Sequence, residues 1–216
     1  GPPCQGFSLT GPRNIDDPRN KLYLSVFKSL KLTNPKAFVV ENVRGLKTMW
    51  DGNVFKEIIK KFESAGYIVT ESLLNSADYG VPQIRHRVFI VGIKKELNKK
   101  FEFPKPEFDK DNYITCGEAI DNLPSLENGE LKSNDYNQEP KTNYQRYVMD
   151  SNKLYNHEAT LHKQFVKDTI ALVPEGGNYK DLPKGVGDSR KFNEAWTRYH
   201  SKKPSRTIDT GHRNHF

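Results

Sequence analysis

AFVVENV, residues 37–43, decides how the fold is read. Ala37, Phe38, Val39 and Val40 run without a break into Glu41 and Asn42, the pattern of a buried strand that ends in polar side chains. Working outward, Leu22, Val26, Phe27 and Leu30 recur at helical spacing. Asp17 and Pro18 supply a cap and a first helical position for that segment, and Asn34-Pro35 ends it. Downstream, after a loop around Gly45, residues 53–65 read as an amphipathic helix with Val54, Ile58, Ile59 and Phe62 inward. Gly66 is its stop. Residues 67–74 and 88–93 are two further strands, separated by the turn-rich stretch Asp78-Tyr79-Gly80-Val81-Pro82. Helix, strand, helix, strand, strand is an open α/β sheet covered by helices.

Beyond Lys94 the pattern dissolves. Residues 94–195 carry short apolar islands among turn residues, with one weak helix near 158–173, and Thr207-Ile208 reads as a short strand. A loop-rich module of this size beside a regular sheet is a recognition insert or a partly disordered segment. The 216 residues therefore fit one ordinary domain and a smaller one.

Charge and composition narrow the classes. The net charge of +7 favours polyanionic partners, although many basic proteins have none. Two cysteines, Cys4 and Cys116, do not make a disulfide scaffold and suit a reduced, cytoplasmic setting. The six histidines show neither a CxxC pair nor an HExxH helix, so no metal is expected. No apolar run reaches the length of a membrane span, and no signal peptide is visible.

Three stretches carry chemistry. Cys4 lies in Gly1-Pro2-Pro3-Cys4-Gln5-Gly6-Phe7-Ser8, where Pro3 stiffens the approach and Gly6 lets the backbone come close to a ligand. That setting suits a nucleophile, while a lone cysteine is otherwise a small apolar core residue. Glu41 stands at the carboxyl end of a strand, where open α/β sheets place their sites. Partial burial there would help it hold a proton near neutrality. In Gln83-Ile84-Arg85-His86-Arg87, strand alternation puts Arg85 and Arg87 on one side and His86 on the other. Two guanidiniums on one face make a pocket for a carbonyl, a carboxylate or a phosphate, or simply a solvated basic edge. Lysines 94, 95, 99, 100 and 105 form a basic run that is either a solvated face or a phosphate track.

Together these motifs resemble the DNA cytosine-C5 methyltransferases of bacterial or phage type. Gly1–Ser8 resembles their nucleophile motif, Glu41-Asn42-Val43 their ENV motif, and Gln83-x-Arg85-x-Arg87 their QxRxR motif, in the family's order and spacing. Residues 75–82 share the look, as do Arg198, Pro204, Thr207 and Ile208. The resemblance implies a partial Rossmann-like methyltransferase sheet with a smaller loop-rich target-recognition domain. Residues 1–95 would be catalytic, 96–195 would read the target, and 196–216 would return to the catalytic domain. It implies methyl transfer from S-adenosylmethionine to C5 of a flipped-out cytosine in double-stranded DNA, through a covalent Cys4 adduct. Glu41 would meet the N3 and amino edge of the base and Arg85 its O2. Arg87 would pair near the Glu41 strand end. Pro3 and Leu22 would line the methyl donor, and Gln5, Ser8, Arg13 and Asn42 would meet DNA. Such enzymes act at the nucleoid, in restriction-modification among other settings. An RNA-directed relative shares the pattern, but Pro3-Cys4-Gln5 leans toward DNA.

The sequence also departs from the family. No FxGxG-like turn, the main seat of the methyl donor, occurs, and the family's last motif is absent. The expectation is a fragment that binds S-adenosylmethionine poorly alone and works with an N-terminal half or a complementing chain. The competing expectation is a DNA-binding fragment without turnover.

Overall fold

A computed structural model describes residues 23–126, 133–136, 138–159, 161–186 and 196–208. In chain order its elements are helix α1 (Tyr23–Thr33), strand β1 (Ala37–Val43), the short helix α2 (Gly45–Thr48), helix α3 (Asn53–Ser64) and strand β2 (Tyr67–Asn75). Strands β3 (Gln83–Ile84) and β4 (His86–Lys94) follow. Helices α4 (Cys116–Ile120), α5 (Asn143–Val148) and α6 (Gln164–Ala171) and strand β5 (Ser205–Arg206) complete the order. Short 3-10 turns join several of them. The chain divides into two compact units: residues 1–75 with 85–106, and residues 76–84 with 107–216.

The first unit is a three-stranded sheet in the order β1-β4-β2, antiparallel throughout. In an antiparallel ladder, directly opposed residues share a face. Phe38, Val40, Val88 and Ile90 therefore point one way, and α1 and α3 cover them with Leu30, Phe55, Ile58 and Phe62. The centre of this core is aromatic. Phe38 lies 4.8 Å from Phe62 and 5.0 Å from Tyr67, centroid to centroid. Its pairing partner is Gly92, and the missing side chain there is what lets the Phe38 ring lie across the central strand. The opposite face carries Val39, Glu41 and Val43 on β1 with Arg87, Phe89 and Val91 on β4.

Helix ends follow their local chemistry. Asn34 takes a left-handed φ of 44° just past α1, and its N–H donates to Leu30 O at 2.9 Å. Gly66 does the same past α3, with φ 89°. The buried Tyr67 hydroxyl donates to Pro35 O at 2.8 Å, while Lys94 Nζ sits 4.5 Å over its ring. The basic run thus begins with a packed lysine. It also leaves β4 at the end where Ala37 pairs with Ile93, the far end of the ladder from Arg87.

The second unit is built from short pieces, and capped helix starts hold much of it. Thr115 accepts from Glu118 N while the Glu118 carboxylate accepts from Thr115 N, and Thr142 with Gln145 repeats the device at α5. The loop Ser76–Tyr79 is anchored by Asp78, whose carbonyl accepts from Glu107 N and Phe108 N and whose carboxylate takes the Tyr113 hydroxyl. Strand β3 pairs in parallel with β5. The observed β5 thus lies just before Thr207-Ile208, because Ser205 N reaches Pro82 O and the Thr207 hydroxyl already donates to Ile84 O. The weak helix near 158–173 is α6, shorter than expected.

Charge is divided unevenly. Residues of the first unit include 18 Lys and Arg against 9 Asp and Glu, whereas the second has 16 against 18. The basic excess therefore belongs to the sheet unit. Among the described residues no helix is long and apolar enough to cross a membrane.

Candidate active site

Glu41 and Arg87 share the face of the sheet opposite the aromatic core. Glu41 pairs with Phe89 and Arg87 with Val43, so the two side chains are diagonal neighbours on adjacent strands. Arg87 Nε donates to Glu41 Oε1 at 2.9 Å, and Arg87 NH1 donates to the His86 carbonyl. The expected pairing of Arg87 with the strand end is thus present. The arginine side chain is 19% accessible and the carboxylate 43%, so Glu41 is open to an incoming group while its partner is held from behind. The burial expected for Glu41 is correspondingly modest. An acceptor fixed beside a cation, on a rigid strand, can receive a hydrogen-bond donor edge without rearranging.

Asn42 faces the other way. It is 4% accessible, and its Oδ1 accepts from Val43 N at 2.9 Å. That position leaves almost no surface for DNA to touch. Arg85 falls in the single-residue gap between β3 and β4, so strand alternation governs His86 and Arg87 but not Arg85. Its backbone N–H donates to Asn75 Oδ1 at 3.1 Å. Asn75 is 8% accessible and lies at the last position of β2, opposite His86. Sequence reasoning placed Asn75 in a family-like stretch but gave it no task; its signal was a polar residue closing an apolar strand.

Pro3, Cys4, Gln5, Ser8, Arg13 and Leu22 lie outside the described residues. Gln83 belongs to β3, and its carbonyl accepts from the Ser76 hydroxyl at 2.6 Å. Arg198 donates to Val173 O, and its backbone exchanges hydrogen bonds with Gly176 and Gly177. Nearby, Glu175 Oε1 accepts from Ser201 N at 2.5 Å with His200 Nδ1 at 3.6 Å. Hydrogen bonds from Ser201 first, and weaker attraction to His200 and Arg198, hold the Glu175 carboxyl below its ordinary value. The Cys116 thiol is pushed up, chiefly by burial. Among the described residues no group of three His, Cys, Asp or Glu is placed to hold a metal ion.

The geometry gives a mixed α/β unit with a carboxylate and a guanidinium joined across its β1–β4 ladder. The comparisons supply the family. The description C-5 cytosine-specific DNA methylase matches residues 1–214, and the chain belongs to that family. It is 38% identical over 212 residues to the Type II methyltransferase M1.HphI of Haemophilus parahaemolyticus, covering 95% of this chain and 50% of that protein. It is 40% identical over 189 residues to M.DdeI of Desulfomicrobium norvegicum, covering 84% of this chain and 46% of that protein. The chain thus spans about half the length of these curated relatives. A crystal structure of a prophage-encoded protein (E. coli), assigned as a DNA modification methyltransferase, superposes with a TM-score of 0.69 at 23% identity. It covers 96% of this chain and 60% of that one, and it supports the fold.

Proposed function

We propose that this chain carries the catalytic and target-reading parts of a DNA cytosine-C5 methyltransferase. The observation that carries the reading is the Glu41–Arg87 pair at 2.9 Å, formed by two of the family's motifs on adjacent strands. C5 of cytosine is too electron-poor to take a methyl group unaided. Addition of the Cys4 thiolate to C6 breaks the C5–C6 double bond and places the electron pair on C5. Glu41 meets the N3 and amino edge of the ring, where a shared proton offsets the charge that builds up. Arg87 holds Glu41 in place, and Arg85 takes O2 of the ring. C5 then takes up the methyl group, a base removes the C5 proton, and the thiolate leaves as the double bond returns.

The target atom is stacked inside a duplex, so the cytosine must rotate out, at a cost of about a few kcal/mol. Gln5, Ser8 and Arg13 would meet the opened DNA, whereas Asn42 is buried and accepts from Val43 N. The domain reading is 1–95 catalytic, 96–195 target-reading and 196–216 returning. S-adenosylmethionine would supply the methyl group. Pro3 and Leu22 would line that methyl donor.

The test is transfer of labelled methyl groups to duplex DNA, with and without a chain supplying the other half of the family's length. Incorporation should vanish with Cys4→Ser and fall roughly 100-fold or more with Glu41→Gln, the scale of losing one stabilising group at a developing charge. Incorporation that survives Cys4→Ser would overturn the proposal. DNA binding without incorporation under any complementation would leave a binding module instead.

A further inference from the structure

We infer that Asn75 is a positioning residue that fixes Arg85 for the base, an inference that rests on the role just proposed for Arg85. Arg85 is the one residue between β3 and β4, and those strands belong to different sheets. Neither sheet ladder claims it, so its N–H needs another acceptor. The Asn75 side chain provides one at 3.1 Å, from a residue 8% accessible and pinned at the end of β2 by its pairing with His86.

The geometry makes Asn75 a clamp on the crossover. His86 and Arg87 are aimed by the β4 ladder, and Arg87 is further held by Glu41. Arg85 lacks both constraints. Its backbone direction depends on the amide oxygen across from it, so the angle between Arg85 and the Glu41–Arg87 pair is set by a side chain of β2 that lies in the ladder's last pair, opposite His86. A group misplaced by an ångström or less loses much of its effect on a bound ring. Asparagine suits the task because its oxygen is fixed by a short side chain and is an acceptor at every pH.

The experiment uses the full 216-residue chain. Backbone exchange of the Arg85 amide is followed by NMR, and affinity is measured for a duplex bearing one mispaired cytosine. Asn75→Leu should speed Arg85 amide exchange and weaken binding roughly tenfold, the scale of one buried hydrogen bond. Asn75→Asp retains an acceptor and should restore both, which keeps the test open if the leucine variant folds poorly. In the Arg85→Ala background, Asn75→Leu should cost nothing further, because both act through one group. Unchanged Arg85 exchange in Asn75→Leu, no rescue by Asn75→Asp, or full additivity with Arg85→Ala would each overturn the inference. If Arg85→Ala alone leaves binding unchanged, the role proposed for Arg85 fails, and with it the task assigned to Asn75; the exchange data would then report the clamp on its own.

Discussion

Gly92→Ala should destabilise the sheet unit by about 2 kcal/mol. A methyl group built at Gly92 would lie 2.5 Å from Phe38 Cζ and 2.8 Å from Cδ1, and nearer still to Cε1. The ring cannot swing aside, because Phe62 and Tyr67 hold it at centroid distances of 4.8 and 5.0 Å. Overpacking of this kind costs about 1–3 kcal/mol. Loss of chain freedom in the unfolded state returns about 0.4–1 kcal/mol when Gly becomes Ala. Contacts this short, all below 3.0 Å, put the overpacking at the top of its range, which leaves a net cost of about 2 kcal/mol. For a unit of this size, 2 kcal/mol corresponds to a fall of roughly 10 °C in Tm. Urea unfolding, followed by tyrosine and tryptophan fluorescence, should show a lower midpoint at unchanged slope. In a Phe38→Leu background the same substitution should cost less than about 1 kcal/mol, since the obstructing ring is gone. A Gly92→Ala chain as stable as the parent, or an equal cost in both backgrounds, would refute the claim that Gly92 exists to admit Phe38.

Two further outcomes follow from the second unit. Glu175 is held below its ordinary carboxyl value of 4.5, so its contribution to stability is present above that value and is lost as pH falls through the lower, folded-state one. The stability gap between the parent and Glu175→Gln should therefore narrow as pH falls through that window in acid unfolding; a gap that does not change with pH would remove the claim. Burial raises the Cys116 thiol, so in a Cys4→Ser chain alkylation at neutral pH should be slow until denaturant is added. Labelling at the rate of a free thiol in native buffer would contradict it.

The regular sheet unit was legible because its strands and helices have strong local periods. Val54, Ile58, Ile59 and Phe62 mark α3 without ambiguity, and AFVV marks β1. The alternation of buried and exposed residues along β1 was harder to see, since Val39 looks as apolar as Val40 yet is 66% accessible. The site was legible as motifs rather than as geometry. Glu41 and Arg87 were assigned from two separate stretches, and only the register of β1 on β4 makes them diagonal neighbours. Strand alternation reaches His86 and Arg87 but stops short of Arg85, which lies one residue before β4. In the second unit the signals were present but short. Thr115 with Glu118 and Thr142 with Gln145 each spell a capping box, yet both helices they start lie in a stretch whose apolar pattern is irregular. A five- or six-residue helix offers too little apolar period to be recognised without its cap.

The arrangement of β4 has a consequence for how the chain reaches its native form. Its pairing with β2 is nearly local: Asn75 opposite His86 needs only a short excursion of backbone. Its pairing with β1 joins residues separated by two helices and two strands, so closing that loop carries the greater entropic cost. Glu41 and Arg87 meet across this costlier seam. That seam is also where the Phe38 ring lies over Gly92 of β4 and packs on Phe62 of α3 and Tyr67 of β2, so the core behind the sheet holds β1 in the register that lets the ion pair form.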